Sequence, residues 1–316
     1  MPEKFELAIV GGGPAGAAAA IYAARKRLKT VLIVAEWGGQ STVSTEVHNW
    51  IGTKAISGVD LAKNLREHTE SYAGDYLTIL SPAMAVGLDT HIDRVEIKVK
   101  KGKEELTIEA KALIVASGAA RRKLDAIGAA QYDQKGLTYC ASCDGPLFAE
   151  KKVAVIGGGN AAFETALQLL EYCSLVTLLN RTDKFRADEI TIAAAKANPK
   201  MHIVNNARIM SVEGDQFVKG IRYIDAKSGE EALLPVEGVF VEIGLMPNTE
   251  WIGTSLEKNQ VGQIKIDPST QTTSHPRVWA AGDCSSGLYH QNNIAAGDAI
   301  KALEDVYMFL RRGSTD

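Results

Sequence analysis

Short apolar runs, each about as long as one strand, recur along this chain and alternate with longer amphipathic stretches. The runs lie at residues 5–10, 30–34, 112–116, 153–156 and 175–179. Alanine- and leucine-rich stretches at about 15–26 and 160–172 follow two of these runs and predict helices. Apolar strands that alternate with helices are typical of parallel sheets covered on both faces. The pattern therefore predicts an α/β fold.

The remaining elements are predicted from capping and turn signals. Ser57 predicts the start of a helix at about 58–73, because its hydroxyl can cap the first turn. A hairpin is expected at about 93–110, and a series of short strands at 203–242. A last helix is predicted at about 291–311.

A glycine-rich turn follows the first strand. Gly11, Gly13 and Gly16 occupy the three positions of the pattern G-x-G-x-x-G, directly before the first predicted helix. In this pattern the first glycine makes a tight turn and the second lets a pyrophosphate approach the backbone. The third lets the helix pack closely on the strand. Glu36, at the end of the next strand, is placed to accept a hydrogen bond from an adenosine ribose.

The same pattern occurs a second time, and Gly157 stands 146 residues after Gly11. Gly157, Gly159 and Ala162 follow the strand at 153–156 and read G-x-G-x-x-A. Two such units in one chain predict two Rossmann-like, three-layer domains. They indicate two bound dinucleotides, or one dinucleotide and a vestigial site.

The second unit lacks an acidic residue at the position that corresponds to Glu36. Asn180 and Arg181 follow its second strand, and Arg186 lies about one helical turn further on. A carboxylate there would bind the ribose of NADH and repel a 2′-phosphate, whereas arginine attracts that phosphate. The arginines therefore favour NADPH, and the alternative is that both are solvated surface residues.

Composition restricts the compartment and the partners. The chain has 316 residues, 46% of them hydrophobic, and a net charge of -3, as expected for a globular protein with room for two domains. It has no basic cluster of the kind that binds nucleic acid, no apolar run long enough to span a membrane and no signal-peptide pattern. We therefore expect a cytoplasmic protein that binds neither nucleic acid nor membrane.

Cys140 and Cys143 form a Cys-x-x-Cys pair between the two glycine patterns. Such a pair can close and reopen a small disulfide, but it also begins many zinc sites. A structural zinc needs four ligands, and the chain has neither a second such pair nor two histidines at short helical spacing. The sequence therefore favours a redox pair and no bound metal. Cys173 and Cys284 stand alone and are expected to be small core residues.

Taken in order, the motifs resemble those of the low-molecular-weight thioredoxin reductases, and the similarity covers the whole chain. Two segments, Tyr139–Phe148 and Gly244–Thr249, are most similar to the flavoprotein part of alkyl hydroperoxide reductase. The matching motifs are the two glycine patterns, Trp37-Gly38-Gly39-Gln40, Cys140-Ala141-Ser142-Cys143-Asp144-Gly145 and Ala281-Gly282-Asp283.

The resemblance implies a FAD-binding domain made of residues 1–117 and 245–316. A pyridine-nucleotide domain, residues 118–244, would be inserted in it and carry the disulfide. By analogy Cys143 faces the flavin, Cys140 attacks the disulfide of the partner, and Asp144 protonates a leaving thiolate. The partner would be thioredoxin or a thioredoxin-fold protein, and the enzyme would be a homodimer.

The motifs and the resemblance together predict the residues that bind the cofactors. For FAD they are Gly11, Gly13, Pro14, Ala15, Gly16, Glu36, Gly39, Gln40, Asn49, Gly118, Gly282, Asp283, His290 and Gln291. For the pyridine nucleotide they are Gly157, Gly159, Asn160, Ala162, Glu164, Arg181 and Arg186.

The chain departs from the family at the donor and flavin sites. The family's His-Arg-Arg-x-x-x-Arg phosphate segment reads Asn180–Arg186 here, without the histidine and one arginine, and the usual Arg-Gln near the flavin reads His290-Gln291. Two hypotheses follow. One is a flavin-dependent disulfide reductase that takes electrons from NADPH. The other is a flavoprotein of the same fold that uses ferredoxin or another flavin as donor, or a redox sensor without turnover.

The cysteine pair gives the first testable prediction. Replacing either Cys140 or Cys143 with serine should abolish the reduction of any protein disulfide and leave the flavin bound, because serine cannot form a disulfide. Disulfide-reductase assays and the flavin absorbance of the two variants measure both effects. Unchanged activity in Cys143→Ser would rule out the assigned role.

Overall fold

The computed structural model describes residues 4–43, 47, 49–139 and 141–312, with the backbone alone at 43, 142 and 143. The chain divides into two compact units. The first unit is Met1–Ala120 together with Met246–Asp316, and the second unit is Arg121–Leu245. The second unit is therefore an insertion in the first.

In each unit, strands that alternate with helices are followed by a run of consecutive strands. The helices are α1 (Pro14–Arg25), α2 (Gly58–Glu70), α3 (Ala141–Asp144), α4 (Asn160–Leu170), α5 (Glu189–Lys196) and α6 (Asn292–Arg312). The strands are β1 (Lys4–Gly12), β2 (Thr30–Trp37), β3 (Leu77–Leu80), β4 (Met84–Thr90), β5 (Val95–Lys101), β6 (Glu104–Val115), β7 (Ala119–Arg121), β8 (Leu137–Thr138), β9 (Lys152–Ile156), β10 (Leu175–Leu179), β11 (Met201–Val204), β12 (Ala207–Gly214), β13 (Val218–Asp225), β14 (Glu231–Pro235), β15 (Gly238–Val241), β16 (Leu245–Pro247) and β17 (Val278–Ala280). Short 3-10 helices lie at Gly39–Val43, Gly145–Phe148, Glu250–Ile252 and Gly282–Cys284.

The first unit is built on a parallel sheet with the strand order β3-β2-β1-β6, and β17 pairs with the last residues of β6. Strand β1 lies between β2, which follows it through α1, and β6, which comes much later in the chain. The chain therefore reverses its direction of travel across the sheet at β1. In open parallel sheets, ligands bind at the carboxyl ends of the strands at such a reversal.

Two layers cover this sheet. On one face, the alanines of α1 and α6 pack with Leu7, Ile9 and Ile114, and their small side chains allow the helices to lie close to the strands. On the other face, the antiparallel meander β4–β5–β6 packs Leu88 and Ile97 against Val10 and other sheet residues. The result is a three-layer domain.

The second unit repeats this plan. Its parallel sheet has the order β11-β10-β9-β15-β8, and the direction reverses at β9. Alternate residues of β9 point to opposite faces. Val153 and Val155 pack with Phe163 of α4, whereas Ala154 and Ile156 belong to the cluster that includes the meander β12–β13–β14.

The predicted fold class is confirmed, because both units are three-layer α/β structures with a central parallel sheet. The Ser57 cap is also confirmed, since its hydroxyl accepts a hydrogen bond from the backbone N–H of Asp60 at 3.0 Å. Helix α2 ends at Glu70, earlier than the 73 expected. The two-residue strand β8 had no signal in the sequence, because only its pairing with β15 defines it.

Candidate functional site

The first glycine turn is shaped by two close backbone approaches. A methyl group at Gly11, whose φ is +131°, would lie 2.0 Å from the carbonyl oxygen of Ala116. A methyl group at Gly16 would lie 1.8 Å from the carbonyl oxygen of Gly11. Around Gly13, by contrast, no atom lies within 4 Å of where a Cβ would stand. Gly11 and Gly16 therefore have no room for a side chain, whereas Gly13 faces open space.

This open space lies at the amino end of α1. Gly13 is the N-cap of α1 and makes no side-chain cap hydrogen bond, and Pro14 and Ala15 are buried in the first turn. The free N–H groups and the positive end of the helix dipole favour an anion at this point. These residues therefore fit the diphosphate of a dinucleotide.

The predicted FAD residues on β2 and after it lie around the same turn. The backbone N–H of Gly38 donates to the carbonyl oxygen of Gly12 at 2.8 Å. The Cβ position of Gly39 is 3.8 Å from the Cα of Gly13. Glu36 has an exposed side chain at the end of β2, and Gln40 follows in the 3-10 helix. Glu36 is thus free to reach a ribose.

The carboxyl-terminal residues of the first unit reach the turn from the other side. The Cβ position of Gly282 lies 3.5 Å from the Cβ of Ala15. Next to it, the Asp283 carboxylate and the Nδ1 of His290 are 3.4 Å apart, and the Nε2 of His290 lies 3.2 Å from the side-chain nitrogen of Gln263. The fold therefore brings both ends of the sequence to one site.

The other predicted FAD residues of the first unit are placed by hydrogen bonds. Asn49 donates its side-chain N–H to Gln291 at 2.8 Å. Gly118 follows β6 with a φ of +64°, and its carbonyl oxygen accepts from the backbone N–H of Asn248 at 2.9 Å. The structure thus brings Gly39, Gly282 and Asp283 to the glycine turn, and it places Asn49 beside Gln291.

His290 stands where the family pattern has an arginine, and unlike arginine it titrates near physiological pH values. Its hydrogen bond with Asp283 raises the pKa of the imidazole above its usual value, and partial burial opposes this. Asp283 and Asp298 both add attraction for the protonated ring, and the carbonyl oxygen of Gly287 accepts a hydrogen bond from it. The amide nitrogen of Gln263 can only donate, so its contact with Nε2 favours an unprotonated Nε2 and opposes these effects.

The second glycine turn has the same construction as the first. A methyl group at Gly157, whose φ is +150°, would lie 2.3 Å from the carbonyl oxygen of Glu242 and 2.8 Å from the Cβ of Ala162. Gly159, the N-cap of α4, faces open space and has no side-chain cap. A dinucleotide diphosphate therefore fits this turn as well.

The segment after β10 is fastened to this second turn. The backbone N–H of Arg186 donates to the carbonyl oxygen of Gly158 at 2.7 Å. Asn160 accepts from the backbone N–H of Asp188 at 2.7 Å and donates to its carboxylate at 3.2 Å. These bonds hold the backbone of Arg186 beside the turn, and the side chains of Arg181 and Arg186 are exposed.

One expectation about this segment needs correction. Arg186 does not follow Arg181 by a helical turn, because residues 181–188 form a loop and a hydrogen bond to Gly158 holds Arg186. Asn180 is buried, and its amide donates to the carbonyl oxygens of Thr182 and Lys184 at 2.8 and 3.1 Å. Asn180 therefore shapes the loop.

The parallel strands of the second unit end at one edge of their sheet, and this fixes the order of the site residues. Strand β10 is followed by Asn180 and Arg181, β9 by the glycine turn and β15 by Glu242, and β8 ends at Thr138. The hydroxyl of Thr138 donates to the carboxylate of Asp144. Asp144, the predicted acid, is thus anchored on the side of the turn opposite to the arginines.

Of the predicted redox pair, Cys140 and the side chain of Cys143 lie outside the described residues. Cys173 and Cys284 are fully buried, as expected for core residues. Burial raises the pKa of the Cys173 thiol to about 11 and raises that of Cys284 as well, so both stay protonated near neutral pH.

Three polar residues at these sites were not identified from the sequence. Thr138 and Glu242 stand at strand ends, and Gln263 contacts His290. Thr138 directly precedes the segment Tyr139–Phe148, and this position beside a motif was a signal in the sequence. The sequence contains no such signal for Glu242 and Gln263, because their contacts are to residues distant in sequence.

Comparison with known proteins identifies the family. The family model described as pyridine nucleotide-disulphide oxidoreductase matches residues 5–299. The chain belongs to this family, which implies FAD and a pyridine nucleotide as cofactors.

Individual relatives agree with this assignment. The chain is 38% identical over 310 residues to an NADH dehydrogenase of Bacillus subtilis, covering 98% of this chain and 59% of that protein. It is 38% identical over 313 residues to a component of the alkyl hydroperoxide reductase of Pseudomonas aeruginosa, covering 99% and 59%. The chain thus spans less than two thirds of the length of these relatives.

A solved structure, the thioredoxin reductase of Lactococcus lactis in its FR conformation, superposes with a TM-score of 0.84 at 32% identity, covering 98% of this chain and 99% of that one. The resemblance to low-molecular-weight thioredoxin reductases predicted from the motifs is confirmed. Among the described residues, no helix is long and apolar enough to cross a membrane.

The glycine turns predict a contrast between alanine variants. Gly13→Ala and Gly159→Ala should fold normally, because both positions have negative φ and open space. Each added methyl group should nevertheless weaken its own dinucleotide by about tenfold or more, because it stands where the diphosphate approaches. FAD content and pyridine-nucleotide titrations measure this.

Gly16→Ala is the matched comparison, since its methyl group would lie 1.8 Å from the oxygen of Gly11 and should lower the melting temperature. Full FAD retention in Gly13→Ala would contradict the placement of the diphosphate.

The His290–Asp283 pair predicts a pH-dependent stability. Because the folded pKa of His290 is raised, the pair stabilises the protein fully below the unfolded pKa of about 6.5. This contribution disappears as the pH rises through the folded pKa. The free energy of unfolding of His290→Gln should therefore lie furthest below wild type near pH 5.5 and approach it as the pH rises through the folded pKa. Urea unfolding across this range measures the difference, and a difference that grows with pH would contradict the pairing.

Proposed function

We propose that this protein is a flavin-dependent protein-disulfide reductase of the thioredoxin reductase type. Electrons pass from a pyridine nucleotide through FAD and the Cys140–Cys143 disulfide to a thioredoxin-fold partner. The observation that carries the proposal is the repeated turn geometry. Each unit has a glycine turn that opens to a helix amino end, and Asp144, which directly follows Cys143, is bonded to Thr138 at the same sheet edge as the second turn.

The first unit supplies the flavin site. The N–H groups at the start of α1 hold the diphosphate, and Glu36 binds the ribose of the adenosine half. Asp283, oriented by His290, binds the ribityl chain. FAD held by these residues would supply two-electron transfer between a nicotinamide and a disulfide.

The second unit supplies the donor and disulfide sites. In this role, Asp144 protonates a leaving thiolate, and the bond from Thr138 fixes the direction of its carboxylate. The thiolate of Cys140 attacks a sulfur of the partner disulfide, and one partner thiolate leaves. Cys143 then attacks Cys140, so the Cys140–Cys143 disulfide forms again and the partner is released with two thiols.

The overall reaction balances in electrons and protons. One NAD(P)H and one proton reduce the Cys140–Cys143 disulfide to two thiols, which then reduce one partner disulfide. NADPH is the proposed donor, because the exposed Arg181 and Arg186 lie in the loop beside the second glycine turn and Asn180, not a carboxylate, directly follows β10. We also assign a cytoplasmic location and a homodimeric assembly to the protein.

Arg181 provides the test of the donor. Arg181→Ala should raise the Michaelis constant for NADPH by about one to two decades and leave that for NADH nearly unchanged, since one charge-assisted contact to the 2′-phosphate is lost. Stopped-flow bleaching of the flavin band with each nucleotide measures this. Arg208→Ala, an exposed arginine of the same unit on β12, is the matched control.

Equal effects of Arg181→Ala on both nucleotides would show that Arg181 does not bind the phosphate. A flat trace with either nucleotide in the wild-type protein would instead favour ferredoxin or another flavin as donor, or a sensor without turnover.

A further inference from the structure

A buried carboxyl group lies at the edge of the second sheet, and the proposed reaction assigns it no role. The Glu242 side chain is 11% exposed, directly after β15. One of its oxygens accepts from Thr165 of α4 at 3.0 Å and lies 3.1 Å from a guanidinium nitrogen of Arg121. Arg121 is the first residue of the second unit. We call these three residues the Glu242 cluster.

The Glu242 cluster adjoins the second glycine turn. The backbone N–H of Glu242 donates to the carbonyl oxygen of Ile156 at 2.8 Å, and its own carbonyl oxygen fills the space that a side chain at Gly157 would need. The cluster therefore ties three parts of the crevice together: the glycine turn, helix α4 and the segment after β15.

The position of the Glu242 cluster along the sheet edge indicates which half of a bound dinucleotide the cluster faces. A dinucleotide whose diphosphate lies on the glycine turn has its adenosine half over the end of β10, beside Arg181. Its other half then extends over the end of β15, towards the Thr138–Asp144 pair on β8. Glu242 lies between these two points.

The charge of Glu242 depends on Arg121. Burial raises the pKa of the Glu242 carboxyl group, and the positive charge of Arg121 and the two hydrogen bonds oppose this. Glu164 on α4 adds repulsion. Loss of one partner from a buried ion pair leaves the other charge uncompensated, so the local structure adjusts. Thus Arg121 and Thr165 oppose the protonation that burial favours and hold the carboxylate in place.

We propose that Arg121, Glu242 and Thr165 act as positioning residues that set the affinity of the second crevice for its pyridine nucleotide. They fix α4 and the segment after β15 on the nicotinamide side of the glycine turn. The inference rests on the proposed function in one respect, namely that the ligand of this crevice is a pyridine nucleotide.

A double-mutant cycle tests the proposal. Calorimetric titration of the flavin-loaded protein with NADP⁺ compares wild type, Glu242→Gln, Arg121→Met and the double variant. Each single change should weaken binding about three- to tenfold, and the double change should weaken it by less than the product of the two. Arg121→Lys, which keeps the charge, should restore most of the affinity. Asp215→Asn is the matched control, because it breaks the exposed Lys219–Asp215 pair of the same unit.

A pH series separates positioning from simple stabilisation. NAD⁺ is used because its phosphates do not titrate between pH 5 and 8. Since the pKa of Glu242 is raised, wild-type affinity for NAD⁺ should fall towards pH 5 as the carboxylate is protonated. In Glu242→Gln the affinity should already be low and should change much less with pH.

The outcomes distinguish this inference from the proposed function. If wild type binds NADP⁺ and both single variants bind within twofold of it, the inference is overturned and the donor assignment stands. Lowered melting temperatures with unchanged affinities would overturn it too, because the cluster would then serve only stability. If wild type binds neither nucleotide, the donor assignment fails first and the inference falls with it.

Discussion

Both nucleotide sites depend on one kind of close contact. The end of one strand approaches the glycine turn that follows the neighbouring strand. In the first unit the carbonyl oxygen of Ala116, after β6, occupies the space beside Gly11; in the second, that of Glu242, after β15, occupies the space beside Gly157. Any side chain at either glycine would push the two strand ends apart. The turns would then no longer direct the amino ends of α1 and α4 into the crevice between those strands.

The two units use this common frame for different ligands, because the residues around the turns differ in charge. Glu36 places a carboxylate at the adenosine end of the first crevice, where it suits a ribose with a free hydroxyl. The second crevice has arginines at the same end and a buried asparagine that shapes the loop beneath them. The Asp283–His290 pair lies at the far end of the first crevice. The Glu242–Arg121 pair lies at the far end of the second crevice. Each crevice therefore pairs an acidic side chain with a basic one.

The two pairs differ in the base that they use. Burial of the Glu242 carboxyl group favours its protonated form, and the charge of Arg121 opposes this. Arg121 is always charged, whereas the charge of His290 beside Asp283 depends on pH. The electrostatics of the second pair therefore do not depend on protonation of its base, whereas those of the first pair do.

Local sequence was sufficient to predict the two glycine turns, the helices that follow them, the α/β class and the burial of Cys173 and Cys284. These features depend on residues close together in the chain: the Gly-x-Gly-x-x-Gly spacing, the apolar runs and the Ser57 cap. The sequence also singled out Cys140 and Cys143 through their spacing alone. Only the tertiary structure decided that Arg186 is held against Gly158, that Asn180 is buried, and that Glu242 meets Arg121 across 121 residues of chain. Such pairings depend on which strand ends lie side by side, and strand order is set by packing of the whole unit, which no local pattern records.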